Sequence, residues 1–209
     1  MTNIESFLFK IETKRQCPFQ GGLLIAEPFL REDYFCHAVI CIVNYEKGKS
    51  SMGIVLNKRT HYTLNELVPD IIVEYDIPVY CGGPLSCDRL YYIHVLGDTI
   101  SDAEEIANGL YIGGNFEELI SYINAGNETK NKIRFFLGYS GWDPLQLESE
   151  IKHNVWAVTN HHNNQDLLCG ENDKYWHRYV KSMGEEYKGW LYHPENPQLN
   201  WEVKNFLIF

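Results

Sequence analysis

The chain has no hydrophobic run long enough to cross a membrane as a helix. Its longest unbroken apolar stretch, Ala38–Val43, falls far short of the roughly 20 residues such a span needs. No Cys-x-x-Cys occurs among Cys17, Cys36, Cys41, Cys81, Cys87 and Cys169, so neither a zinc ribbon nor a thioredoxin-type site is signalled. The glycine-rich stretch Cys81–Cys87 holds no Gly-Lys-Ser/Thr, so it is not a P-loop. Glu5, Lys10, Glu12, Lys14 and Arg15 interrupt Phe7-Leu8-Phe9, so the apolar stretch of a signal peptide is missing. Reduced thiols and a cytoplasmic location follow as the expectation. Basic charge is scarce as well, with 18 Lys and Arg against 28 Asp and Glu, a net charge of −10. The deficit sits in the middle: residues 59–158 carry −9, against +1 for 1–58 and −2 for 159–209. Phosphate backbones are held by Lys and Arg that displace counterions, so direct nucleic-acid binding is disfavoured. Internal repeats, low-complexity tracts and long polar linkers are missing too. The 209 residues therefore read as one domain, 1–209, with residues 1–20 as an N-terminal arm and 159–209 as an aromatic C-terminal helix and tail packed on it.

Apolar patterning supplies the elements. Gly22–Ala26 is a short strand, and Ala38–Leu56 reads as a β-hairpin around the polar Tyr45–Ser51. Thr63 with Glu66 forms a capping box that opens a short helix, and Asn115 with Glu118 forms a second. Phe116, Leu119, Ile120 and Ile123 give the second helix an apolar face. Pro78–Cys81, Leu90–Leu96, Leu110–Ile112, Ile133–Leu137 and Val155–Val158 read as strands. Asp143 as N-cap, Pro144 at the first helical position and Gln146 are expected to start a further helix. Lys174–Met183 is helical and stops at Gly184. Local hairpins mixed with helices favour an α+β fold.

Three constellations could carry chemistry. Gly138-Tyr139-Ser140-Gly141-Trp142, between a strand and a helix, has the context of a nucleophile elbow, but Trp142 stands where the elbow needs glycine. The favoured reading is a strand-to-helix turn with Trp142 as a packing anchor. Cys81-Gly82-Gly83-Pro84-Leu85-Ser86-Cys87 offers two glycines able to adopt positive φ and N–H groups able to form an anion nest. A structural turn, pinned by an Asp88–Arg89 ion pair, is the plainer reading. His161, His162 and Cys169 lack a metal-ligand spacing, and no metal or other cofactor is expected. Glu148 and Glu150, two apart on a helix, cannot face each other as a catalytic pair, whereas Glu148 and Lys152 have the spacing of an ordinary ion pair.

Several stretches in order resemble the AlgH/YqgE family of small bacterial proteins. They are Leu24-Ile25-Ala26-Glu27-Pro28 with Phe35-Cys36-His37-Ala38-Val39, then Met52-Gly53-Ile54-Val55-Leu56-Asn57-Lys58. Next come Gly82-Gly83-Pro84 with Asp88-Arg89 and His94, and finally Leu137-Gly138-Tyr139, Trp142, Gln146-Leu147-Glu148, Glu150-Ile151 and Trp156. The family usually has Gly where Leu145 stands and Pro where Arg59 stands, and relatives often lack a serine at Ser140. The resemblance implies a bent, bifurcated, mostly antiparallel sheet forming a pseudo-barrel flanked by helices. It also implies a family without an established activity, some members of which carry a transcriptional-regulator label.

The resulting expectation is a non-enzymatic binding or regulatory domain acting through a protein or a small molecule, with homo-oligomerisation left open. Asn57, Lys58, Gly82, Gly83, Arg89, Tyr139, Ser140 and Trp142 are its candidate ligand surface, expected to converge. The rivals are a hydrolase using Ser140, a thiol enzyme using Cys81 or Cys87, and a regulator binding DNA directly.

Overall fold

The computed structural model describes residues 16–160 and 163–193. Most of the expected arm and the last part of the tail therefore lie outside the described residues, as do His161 and His162. The strands are β1 (Leu23–Ala26), β2 (Val39–Asn44), β3 (Ser51–Val55), β4 (Arg59–Thr63), β5 (Pro78–Cys81), β6 (Leu85–His94), β7 (Glu104–Ala107), β8 (Leu110–Ile112), β9 (Ile133–Trp142) and β10 (Trp156–Thr159). The helices are α1 (Leu64–Leu67), α2 (Phe116–Asn124), α3 (Gln146–Lys152), α4 (Asn164–Leu167) and α5 (Asn172–Ser182), followed by a 3-10 segment, Glu185–Tyr192. The fold is α+β. One curled sheet runs β10-β1-β2-β3-β9-β6-β8-β7, and β5, itself paired with β4, joins at β9. Every pairing is antiparallel except β5 with β9.

The sheet forks at β9. Its first half, Ile133–Leu137, lies between β6 and the parallel β5. Its second half leaves β5 and pairs with β3, from Gly53↔Ser140 to Ser51↔Trp142. β1 and β2 are buried on both faces, which is why they read as continuous apolar runs without alternation. Leu23 and Ile25 face one cluster, completed by Tyr175, Trp176, Tyr187 and Trp190 of the C-terminal elements. Leu24 and Ala26 face another, with Leu147 and Ile151 of α3. A third cluster fills the space between α1, α2 and β5, β6 and β9.

Local signals held where they were short-range. Thr63 accepts from Glu66 N–H while Glu66 accepts from Thr63 N–H. Asn115 accepts from Glu117 and Glu118 N–H, but the Glu118 carboxylate caps Ser101 N–H at 2.7 Å, so the second box is half made. Three expectations are corrected and two strands are added. Gly138–Trp142 is strand, not a turn, because β3 supplies a hydrogen-bonding partner from far away in sequence. The helix expected at Asp143 starts at Gln146; Gln146 still accepts from Asp143 N–H at 3.0 Å, but Leu145 precedes the helix with φ 67°. The polar β4 and acidic β7 went unread because each runs at a sheet margin with little apolar patterning. Asp88 and Arg89 form no ion pair among the described residues.

Candidate functional site

The glycines do not build a nest; they let two backbones touch. The Gly82 N–H donates to Leu137 O (2.8 Å), and Gly82 O accepts from Val55 N–H (2.9 Å). A Cβ on Gly82 would sit 2.2 Å from Gly138 O, and one on Gly83, at φ 149°, 2.3 Å from the Tyr139 carbonyl carbon. Ser140, 1% exposed, donates its hydroxyl back to Gly82 O at 3.3 Å and to no histidine. This is the bonding of a strand-locking residue, without the base a nucleophilic serine requires. The Cys81 and Cys87 thiols both donate to Gly83 O, at 3.8 and 3.6 Å. Burial pushes the Cys81 thiol up, which is opposite to an activated thiolate.

Asn57 is fully buried and acts as a clamp. Its Oδ1 accepts from Val39 N–H (2.9 Å), and its Nδ2 donates to His37 O (2.9 Å) and Asn172 O (3.0 Å). It thereby ties the connection between β3 and β4 to the start of α5. His37 in the same corner is buried, stacks on Trp176 (centroids 3.9 Å, 6°) and places Nδ1 2.6 Å from Asp173 Oδ1. His177 Nδ1 lies 3.1 Å from the other oxygen of Asp173. Lys58 follows Asn57, its carbonyl accepting from Cys81 N–H (2.7 Å).

The other candidates lie elsewhere. Between β6 and β9 the register jumps from Leu85↔Tyr139 to Leu90↔Leu137, so Ser86–Arg89 bulges out of the ladder. Ser86 takes φ 50° at the bulge. The bulge leaves an open groove of about 690 Å³ beside the fork, lined by Arg89, Tyr91, Tyr139, Trp142, Asp143 and Gln146 among others. Tyr91 and Tyr139 meet edge to face at 5.8 Å. The Trp142 indole is fixed by donating to Glu150 Oε2 (2.8 Å), which the Trp156 indole also reaches (2.7 Å). Glu148 turns the other way and accepts from Tyr45 OH (3.0 Å) instead of pairing with Lys152. Burial first, then the Glu148 carboxylate, pushes the Tyr45 phenol up to about 12, so it stays a donor.

Of the eight candidate residues, the structure thus brings Arg89, Tyr139 and Trp142 into one groove. Gly82, Gly83 and Ser140 are buried as backbone fasteners, and none lines the groove. Asn57 and Lys58 stand at the opposite end of β3 from Ser51, about 20 Å away at roughly 3.3 Å per residue. Sequence reasoning missed Tyr91 and Gln146 as groove residues; a bulge is set by pairing, and neither residue signals it alone. Among the described residues no group of three or more His, Cys, Asp or Glu is arranged to hold a metal ion. No helix among them is long and apolar enough to cross a membrane.

Comparison with known proteins bears on the whole of this architecture. A family model described as AlgH-like matches residues 23–188. A UPF0301 protein of Parabacteroides distasonis is 42% identical over 194 residues, covering 92% of this chain and 97% of its own length. One of Bacteroides thetaiotaomicron is 38% identical over 198 residues, 95% and 100% respectively. Among solved structures, the AlgH protein of Pseudomonas aeruginosa superposes with a TM-score of 0.64 at 25% identity, over 83% of this chain and 94% of that one. A Corynebacterium diphtheriae protein shares the fold with a TM-score of 0.66 at 20% identity, over 87% and 95%.

Proposed function

The chain belongs to the AlgH-like family, which has no established activity, and from that premise we propose that it is a cytoplasmic binding domain whose small polar ligand enters the groove beside the fork of β9. The observation that carries this reading is the bulge that turns Arg89 off the ladder and toward a wall of Tyr91, Tyr139 and Trp142. The groove's volume suits a small molecule. Its polar groups, a guanidinium, a carboxylate and an amide beside aromatic faces, suit a ligand with both hydrogen-bonding and planar parts. Six cysteines, none of them in a disulfide among the described residues, support a reducing compartment. Direct DNA binding is the weaker reading: with a net charge of −10, Lys49 is paired with Glu46 (2.7 Å) and Arg59 with Glu171 (3.4 Å).

Native mass spectrometry on protein purified gently without chelator, then equilibrated with a cytosolic small-molecule extract, tests the reading. A reproducible adduct that is lost in Arg89→Ala and Tyr139→Ala is the expected result. A bare mass under the same conditions, with a partner protein captured equally well by wild type and Arg89→Ala, would overturn it.

A further inference from the structure

Arg134 is the one charged side chain placed in the core-facing register of β9, between Ile133 and Phe135, and it is 3% exposed. Its guanidinium lies 3.7 Å from the centre of the Tyr80 ring and 5.6 Å from that of Tyr175. Nη2 donates to the Gly170 carbonyl. Nε and Nη1 have no hydrogen-bond partner, and no carboxylate pairs with the group among the described residues. An always-charged group with five donors, buried with one of them used, bears a desolvation cost that a ring face offsets only in part. Glu171, next to the Gly170 that accepts from Arg134, is engaged by Arg59 and by Tyr80 OH, each at 3.4 Å.

Arg134 is also among the residues lining a second cavity, about 350 Å³, between the start of β5, the start of β9 and the turn before α5. Lys130 adds a second cation at its rim, against the single carboxylate of Asp76, while Ile77, Pro78 and Leu168 make an apolar wall. We propose that this cavity is a binding site for a small organic oxyanion, its carboxylate or phosphate group balancing the unpaired charge of Arg134 and pairing with Lys130. The site is separate from the groove at Arg89 and does not depend on that reading. The apolar wall takes the organic body, and Lys130 draws the charge inward.

Thermal unfolding and calorimetry with inorganic phosphate and with benzoate, at constant ionic strength balanced with chloride, test this directly. Wild type is expected to show saturable stabilisation by at least one of the two. Lys130→Ala, an exposed change that leaves the core alone, should weaken that binding about three- to tenfold. Arg134→Met, which removes the buried charge at similar length, should abolish it while Arg89→Ala leaves it unchanged. Stabilisation that rises without saturating and with equal slope in wild type and Lys130→Ala would overturn the proposal, as would no binding of either anion. If Arg134→Met fails to fold, the Lys130→Ala comparison still decides.

Discussion

Leu145 shows how a single backbone torsion constrains a side chain. It holds φ 67° just ahead of α3 and is 60% exposed, so its side chain gains little from packing. A left-handed conformation costs a residue with a Cβ roughly 1–2 kcal/mol. Glycine would avoid that cost while losing about 0.5–1 kcal/mol in chain entropy. Leu145→Gly is therefore expected to stabilise the fold by up to about 1 kcal/mol, read as a raised urea midpoint. Gly82 is the converse: a Cβ there meets backbone, not a side chain that could move. Gly82→Ala should cost about 3 kcal/mol or more, measured the same way. His94 gives a pH signature. Its Nε2–H donates to Gly113 O (2.9 Å) and its Nδ1 accepts from Leu96 N–H (3.1 Å), the neutral tautomer, and burial holds its pKa below the ordinary value of 6.5. In the unfolded chain His94 takes up a proton as pH falls through about 6.5, while the folded chain still refuses it. Its contribution to stability is thus full above that pH and declines below it. In denaturant titrations from pH 7.5 to 5.5, His94→Gln should lose less stability than wild type.

At the level of elements, α3 is held to the sheet by one carboxylate as much as by its apolar face. Glu150 accepts from the indoles of Trp142 on β9 and Trp156 on β10, and from the Gln146 side chain (2.8 Å). Glu150→Ala would leave two nearly buried indole N–H groups unsatisfied, at about 2–4 kcal/mol. Glu150→Gln keeps an acceptor and should cost less; equal losses for the two would contradict the account. Tryptophan fluorescence would report the change, because Trp142 also lines the proposed groove. The spacing of Trp142, Gln146 and Glu150 in the sequence marks a helix following a strand. It does not announce that the same carboxylate serves both strands.

On the scale of the whole molecule, the aromatic C-terminal region is core as far as it is described. Trp176 of α5 stacks parallel to Trp190 (centroids 6.4 Å, 7°), and Tyr187 meets Trp190 edge on. Burying Tyr187 and Trp190 contributes about 3–5 kcal/mol each, together comparable with a typical net stability of roughly 5–15 kcal/mol. Removing residues 185–209 should therefore abolish cooperative unfolding by circular dichroism. Trp190→Ala should lower the urea midpoint while leaving the transition cooperative. A deletion variant that unfolds as sharply as the full chain would instead make this region an appendage.

The sequence by itself determined what depends on near neighbours. The strands of the β2–β3 hairpin, the Thr63 capping box, the amphipathic α2 and the acidic balance follow from residues a few positions apart, and hydrogen-bond caps and side-chain periodicity act at that range. The ordered set of short motifs also carried the family and its curled sheet. What only the tertiary structure decided depends on pairing across the chain. Ser140 lies in a strand because Gly53 is its partner, and Arg89 reaches a groove because β6 bulges against β9. Asn57 left the candidate surface because it clamps His37 to Asn172. Arg134 has a cavity at its side because segments dozens of residues away, near Ile77 and Leu168, close around it. Registers and cavities are set by which distant backbones satisfy one another's hydrogen bonds, and no local pattern of residues encodes that choice.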